Sequence, residues 1–303
     1  MADMSVKIGA LTLKNPVLPA SGTYGYGREY SSLYPPDVWG AVVTKGVSPV
    51  AWPGNNTPRL CETPAGMLNA IGLQNPGVDN FISEALPWLA QYDVPVIVNI
   101  VGKSIEEYAA VTARLNECTG VDAFELNISC PNVKEGGIAF GTDPTAAAAV
   151  AAAVRRVTDK PLIVKLSPNV TDITCIACAV EAEGADALSI ANTLLGMAID
   201  VKKRRPVLAN VVGGLSGPAI KPVALRMVWQ TYQRVKIPII GMGGITSATD
   251  ALEFLMAGAS AVAIGTGLYV DPYTPQKVLA GIVEYMVANN FTSIAEITGI
   301  AQK

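Results

Sequence analysis

The run Val121-Asp122-Ala123-Phe124-Glu125-Leu126-Asn127-Ile128-Ser129-Cys130-Pro131-Asn132 decides how this chain is read. Its largely apolar part, Val121 to Ile128, has the pattern of a strand buried on both faces. It ends in a cysteine pinned by a proline and flanked by Asn127 and Asn132. Working outward, seven more runs resemble it, at residues 16–19, 41–44, 94–100, 162–166, 187–190, 237–241 and 261–264, beside 123–128 itself. Helical patterns lie between them, at 105–118, 145–157, 173–183, 222–235 and 248–257. Gly120, Gly184 and Gly258 close several of these, as C-cap chemistry requires. The alanine-rich run at 145–157 reads as a packed helix.

Eight strands alternating with helices predict an α/β fold, a (β/α)8 TIM barrel spanning residues 1–303 as one domain. A doubly wound sheet is disfavoured because the first strand carries no Gly-rich dinucleotide fingerprint. Residues 6–14, with Gly9 in a turn, read as a β-hairpin at the barrel bottom. Two connections, 46–93 and 193–236, are long and rich in Gly, Pro and Asn. Long βα loops of a barrel build its active site.

Composition narrows the class further. The 303 residues are 50% hydrophobic and 16% charged, enough for a large core, and the net charge is −3. Nothing there invites nucleic acid or an anionic membrane surface. The cluster Lys202-Lys203-Arg204-Arg205 reads as a solvated loop. No stretch of about 18 residues is apolar without a break, so no membrane span is expected. Residues 1–14 show no secretory signal. Five scattered cysteines fit a reducing cytoplasm, the expected location. The chain has no histidine, which removes every Ser-His or Cys-His pair. Any base must then be Cys, Asp, Glu, Lys or Tyr. Cys130 is the best placed. Cys175 and Cys178 form C-x-x-C inside a helical pattern and read as buried helix cysteines, with no second pair to complete a metal set.

Polar residues stand where the strands end: Ser21, Lys45, Asn99, Asn127 with Cys130, Lys165, Asn192-Thr193, Gly243-Gly244 and Gly265-Thr266. A barrel converges all eight ends on one face. Lysines and asparagines desolvated there together call for a ligand. The two glycine pairs end consecutive strands and suit a phosphate, with Leu215-Ser216-Gly217-Pro218 adding a contact. A phosphate site beside lysines and amides suggests a flavin mononucleotide (FMN), one per chain. Lys165 would neutralise charge at the flavin N1/O2 edge, and Asn99 and Asn127 would hydrogen-bond the ring. The same residue types also fit a phosphosugar substrate, and a non-redox barrel stays open at this point.

The chain resembles the class 1 dihydroorotate dehydrogenases, FMN-containing barrels, over essentially its whole length. The resemblance rests on Ala20-Ser21-Gly22, Thr44-Lys45-Gly46, the run from Asn69 to Asn75, the run from Glu125 to Asn132, Val164-Lys165-Leu166, Ala191-Asn192-Thr193 and the glycine pairs. Cys130 is similar to the class 1 base; class 2 members, membrane-associated and quinone-linked, use serine there. The run from Ser129 to Gly137 looks like class 1B, whereas class 1A members usually continue with Pro-Gly after the asparagine. Many relatives carry a histidine near Glu135, which this chain lacks.

The resemblance implies oxidation of (S)-dihydroorotate to orotate in pyrimidine synthesis. Cys130 would remove the C5 proton while hydride leaves C6 for FMN. Substrate would be held by Lys45, Asn69, Asn127, Asn132, Asn192 and Thr193, with the backbone of Ala70, Ile71, Gly72 and Leu73 closing over its carboxylate. FMN would be held by Ser21, Lys45, Gly46, Asn99, Asn127, Lys165, Ala191, Gly217, Gly243, Gly244, Gly265 and Thr266. It also implies a partner subunit carrying FAD and a [2Fe–2S] cluster that delivers electrons to NAD+, in a heterotetramer with a homodimeric core. No metal site is expected on this chain. The alternative within the family is a class 1A, fumarate-linked enzyme.

Overall fold

Buried apolar runs set the architecture. The structure, a computed structural model, describes residues 2–129 and 138–303, with the backbone alone at Ile138 and Ala139. Eight strands form one sheet: β1 (Val17–Pro19), β2 (Val42–Val43), β3 (Val96–Ile100), β4 (Ala123–Asn127), β5 (Leu162–Lys165), β6 (Ala187–Ile190), β7 (Ile239–Met242) and β8 (Ala261–Ile264). Every residue in them is buried, which is why the sequence shows continuous apolar runs and no alternation. The order is β1-β8-β7-β6-β5-β4-β3-β2, and every neighbouring pair is parallel. The Gly40 N–H donates to the Val17 carbonyl over 2.9 Å and brings the two edges together. A Cβ at Gly40 would stand 2.0 Å from the Asn15 carbonyl oxygen, so only glycine lets the chain pass there.

Helices α1 (Ile105–Asn116), α2 (Pro144–Arg155), α3 (Ile173–Ala182), α4 (Lys221–Tyr232), α5 (Ala248–Met256) and α6 (Thr274–Ala288) lie between or after the strands. The side chains of Ser104, Asp143, Asp172 and Ser247 cap α1, α2, α3 and α5. Each such cap contributes about 1 kcal/mol. In α2, Ala147, Val150, Ala151 and Val154 are fully buried, so the alanine-rich run is a packed helix as expected. Between β2 and β3 the chain runs through Val78–Asn80, a π-helical Phe81–Ala85 and Leu86–Leu89, and neither this segment nor α6 was flagged by the sequence. Among the described residues no helix is long and apolar enough to cross a membrane.

Val6–Ile8 and Leu11–Leu13 pair antiparallel as the expected hairpin, with Gly9 at φ +56°. A Cβ at Gly9 would lie 3.1 Å from the Asp186 Cβ, just before β6. The hairpin therefore covers the N-terminal end of the barrel. The basic run 202–205 is exposed, as expected. The C-x-x-C reading needs correction. Cys175 and Cys178 lie on α3 and are free, but Cys175 is exposed and Cys178 half-buried, because their helix face turns away from the sheet.

The two long loops contain an element the sequence did not reveal. Leu60–Thr63, Gly66–Asn69, Leu194–Met197 and Val212–Ser216 form a four-stranded antiparallel sheet. Its order places Val212–Ser216 between Leu194–Met197 and Gly66–Asn69. This sheet roofs the C-terminal ends of the barrel strands.

Candidate active site

Beneath the roof is a cavity of about 260 Å3. The strand ends line it with Ser21, Lys45, Gly46, Asn127, Lys165, Ala191, Asn192, Thr193, Gly243, Gly244, Gly265 and Thr266. The roof adds Asn69, Ile71, Gly72, Leu73 and Gly217. The structure thus brings together most residues singled out from the sequence. Two of them stand back from the cavity. Asn99 is fully buried below the floor, and Ala70 is buried in a small apolar cluster with Leu68 and Leu208. Cys130 and Asn132 lie outside the described residues, just past the end of β4.

The floor is a connected polar network set by strand register. Asn99 pairs with Glu125, Asn127 with Lys165, and Lys165 with Ser189. Asn99 Nδ2 donates to Glu125 Oε1 over 2.6 Å, and Ser189 Oγ donates to Glu125 Oε2 over 2.7 Å. Asn127 Nδ2 reaches Asn99 Oδ1 at 3.4 Å, while its backbone carbonyl accepts from the Tyr108 hydroxyl at 2.8 Å. Ser129 Oγ donates to Asn127 Oδ1 at 3.0 Å and accepts from Asn192 Nδ2 at 2.8 Å.

Lys165 stands apart within this network. It is 4% exposed and lines the cavity, yet its Nζ donates no hydrogen bond among the described residues. Its nearest carboxylate oxygen, Glu125 Oε1, is 3.8 Å away, too far for a hydrogen bond. A buried ammonium with unused donors is costly unless an acceptor from outside the protein completes it. Lys45, at the end of β2, has its pKa lowered from the ordinary lysine value by burial, with the nearby Arg59 guanidinium adding to the effect and Glu29 opposing it.

Another part of the cavity wall is built from backbone. Gly217, Gly243 and Gly244 take φ values of +95°, +126° and +78°. A Cβ at Gly244 would lie 2.8 Å from the Gly217 carbonyl oxygen. Among the described residues the N–H groups of Gly243, Gly244, Gly265 and Thr266 donate to no backbone carbonyl. Free amides at glycine turns are suited to hold an anion. Thr266 Oγ1 donates to Ser216 Oγ over 2.6 Å and joins this part to the roof. An unsatisfied ammonium and free amides lining one cavity fit a ligand that carries both a polar ring and a phosphate, as FMN does.

The 69–75 segment continues the cavity wall from the roof strand Gly66–Asn69. Asn75 is buried and accepts through Oδ1 from the Ser48 hydroxyl, the Ser48 N–H and the Gly77 N–H, while its Nδ2 donates to the Leu73 carbonyl. Asn55 Nδ2 donates to the Ala70 carbonyl at 3.0 Å. These bonds hold the 69–75 segment, in which Gly72 and Leu73 take φ of +73° and +54°. Thr193 Oγ1 is buried with no hydrogen-bond partner among the described residues. It faces Gly214, where a Cβ would approach it to 2.0 Å.

Sequence reasoning gave no role to Glu125, Ser129 or Ser189. Glu125 carries the clearest signal, an acid inside an apolar strand between Phe124 and Leu126. The serines carry none, because a short hydroxyl in a strand is unremarkable until its neighbour across the sheet is known.

Comparison with known proteins agrees with this geometry. The family model described as dihydroorotate dehydrogenase matches residues 3–286. A Geotalea daltonii protein named dihydroorotate dehydrogenase B (NAD(+)), catalytic subunit, is 58% identical over 297 residues, covering 98% of this chain and 97% of that protein. An Anoxybacillus flavithermus protein of the same name is 56% identical over 299 residues, covering 99% and 96%. The crystal structure of an Eimeria tenella DHODH in complex with ferulenol superposes with a TM-score of 0.83 at 22% identity, covering 99% of this chain and 89% of that one, and so shares the fold. With the model matching nearly end to end and relatives above half identity across the full barrel, this chain belongs to the dihydroorotate dehydrogenase family.

Proposed function

We propose that this chain oxidises (S)-dihydroorotate to orotate in pyrimidine synthesis, as the FMN-dependent catalytic subunit of an NAD+-linked enzyme. The observation that carries the flavin reading is Lys165, a buried ammonium at the cavity wall whose Nζ has no hydrogen-bond acceptor among the described residues. The names of the relatives carry the substrate and the acceptor.

Bound FMN supplies the hydride acceptor. Lys165 binds the electron-rich edge of its ring, and Asn127 with Asn99 behind it orients that edge. Ser21, Gly46 and Ala191 border the ring; Gly217, Gly243, Gly244, Gly265 and Thr266 bind the phosphate. Lys45 offers a positive charge to flavin and substrate together. Asn69, Asn127, Asn132 and Asn192 hold the polar edges of dihydroorotate, Thr193 adds a hydroxyl, and the 70–73 backbone takes the carboxylate and excludes water. Cys130, as thiolate, removes the C5 proton. An ordinary thiol pKa of about 8.5 means that its environment must favour the thiolate near neutrality.

A catalytic subunit implies a second protein. We infer that it carries FAD and a [2Fe–2S] cluster, delivers electrons to NAD+ and joins a homodimer of this chain in a heterotetramer in the cytoplasm. The test is an anaerobic visible spectrum of the purified chain before and after dihydroorotate. A flavin spectrum that bleaches is the expected result. A colourless protein that takes up no added FMN overturns the flavin reading. A bound flavin that stays oxidised overturns the substrate.

A further inference from the structure

Among the described residues Glu125 and Lys165 are the two charged side chains that are buried. Their separation has a cause. Both oxygens of Glu125 are taken, Oε1 by Asn99 Nδ2 at 2.6 Å and Oε2 by Ser189 Oγ at 2.7 Å. The carboxylate is thereby kept 3.8 Å from Lys165 Nζ, outside hydrogen-bonding distance. An unrestrained carboxylate would close on a buried ammonium, because Coulomb attraction rises steeply where water is excluded. Here two neutral neighbours from β3 and β6 hold it back. The ammonium keeps its donors for the cavity, while a negative charge close behind offsets part of its field.

We propose that Glu125 is a positioning residue that sets how strongly Lys165 favours the reduced flavin. The inference rests on FMN occupying the cavity as proposed above. Reduction places negative charge at the ring edge, and an uncompensated Lys165 would hold that form far more tightly than the neutral oxidised ring. Glu125 moderates the preference. Asn99 and Ser189 fix the degree of moderation through the distance they impose.

The experiment measures the anaerobic midpoint potential of FMN in the purified holoprotein and in four variants: Glu125→Gln, Ser189→Ala, Lys165→Met and the Glu125→Gln/Lys165→Met pair. Glu125→Gln removes the offsetting charge while keeping an oxygen for Asn99. It should raise the ratio of reduced-to-oxidised flavin affinity by about tenfold, an upward shift of roughly 30 mV for two electrons. Ser189→Ala keeps the charge and releases one anchor, so the carboxylate moves toward Lys165. It should shift the potential in the opposite direction by a smaller amount. Glu125→Gln placed on Lys165→Met should give less than half the shift seen with Lys165 present. No shift in Glu125→Gln, the same shift in both backgrounds, or an upward shift in Ser189→Ala each overturns the proposal. If Glu125→Gln does not fold, the sign in Ser189→Ala decides. Wild-type protein without FMN would instead refute the flavin reading on which the inference rests.

Discussion

Asn192 Nδ2 donates to Ser129 Oγ over 2.8 Å, tying the chain after β6 to the end of β4 across the mouth of the barrel. Ser129 in turn donates to Asn127. Two amides assigned to the substrate are therefore held by one hydroxyl, one residue before Cys130. Ser129→Ala should release the Asn192 amide and loosen that of Asn127, which keeps its bonds to Asn99 and to the residue 129 N–H. Losing one such hydrogen bond costs about 1 kcal/mol, or roughly fivefold in affinity. KM for dihydroorotate should rise several-fold with FMN content unchanged, checked by steady-state kinetics and flavin absorbance. An unchanged KM would show that the amides are placed by other contacts.

The glycines proposed to hold the phosphate differ in what they permit. Gly244 combines φ +78° with a prospective Cβ 2.8 Å from the Gly217 carbonyl. At Gly265 the nearest atom to a prospective Cβ is 3.5 Å away. Gly244→Ala should lower the stability of the flavin-free protein by about 1–2 kcal/mol. Gly265→Ala should leave it near wild type. Thermal unfolding of the two stripped proteins tests the contrast, and equal melting temperatures would contradict it.

Acid sensitivity has an identifiable contributor. Burial works against the charged form of Asp250, but Lys221, Thr246 and Ser247 outweigh it and hold the pKa at about 2, below the ordinary aspartate value of 3.8. A lowered folded-state pKa stabilises the protein above the unfolded value, and the stabilisation is lost as pH falls toward the folded value. Asp250→Asn should flatten the fall in stability between about pH 4 and pH 2, measured by denaturant unfolding across that range. An unchanged slope would assign the acid response elsewhere.

Cys130→Ala should keep FMN and lose most dihydroorotate oxidation. Cys130→Ser should retain weak activity that climbs with pH, because a hydroxyl is a far weaker acid than a thiol. A kcat profile against pH for both variants is the measurement. Near-normal turnover in Cys130→Ala would remove this residue from the role of base.

The barrel was legible because its strands are buried on both faces, so runs such as Leu162–Lys165 and Ala261–Ile264 stand out from any neighbour. The strand-end residues were legible for the same reason, as Lys165 and Asn127 interrupt apolar runs. The roof was not. Leu60–Thr63 alternates between exposed and half-buried positions and shows no hydrophobic face of its own. Its partners lie in a different part of the chain, so no local window contains the signal. Asn99 was read as a flavin contact, but its side chain is occupied one layer down by Glu125 and Asn127. That distinction depends on register between strands, which a single sequence does not print.

The roof has a consequence for redesign. Leu68 is opposite Leu215, and Gly214 is opposite both Asn69 and Leu195, so one hydrogen-bonded ladder stitches insertions from two distant parts of the chain. Neither insertion can be lengthened, grafted or exchanged by itself without breaking the register of the other. Retailoring the enclosure for a bulkier ring would require both segments to be transplanted as a matched pair.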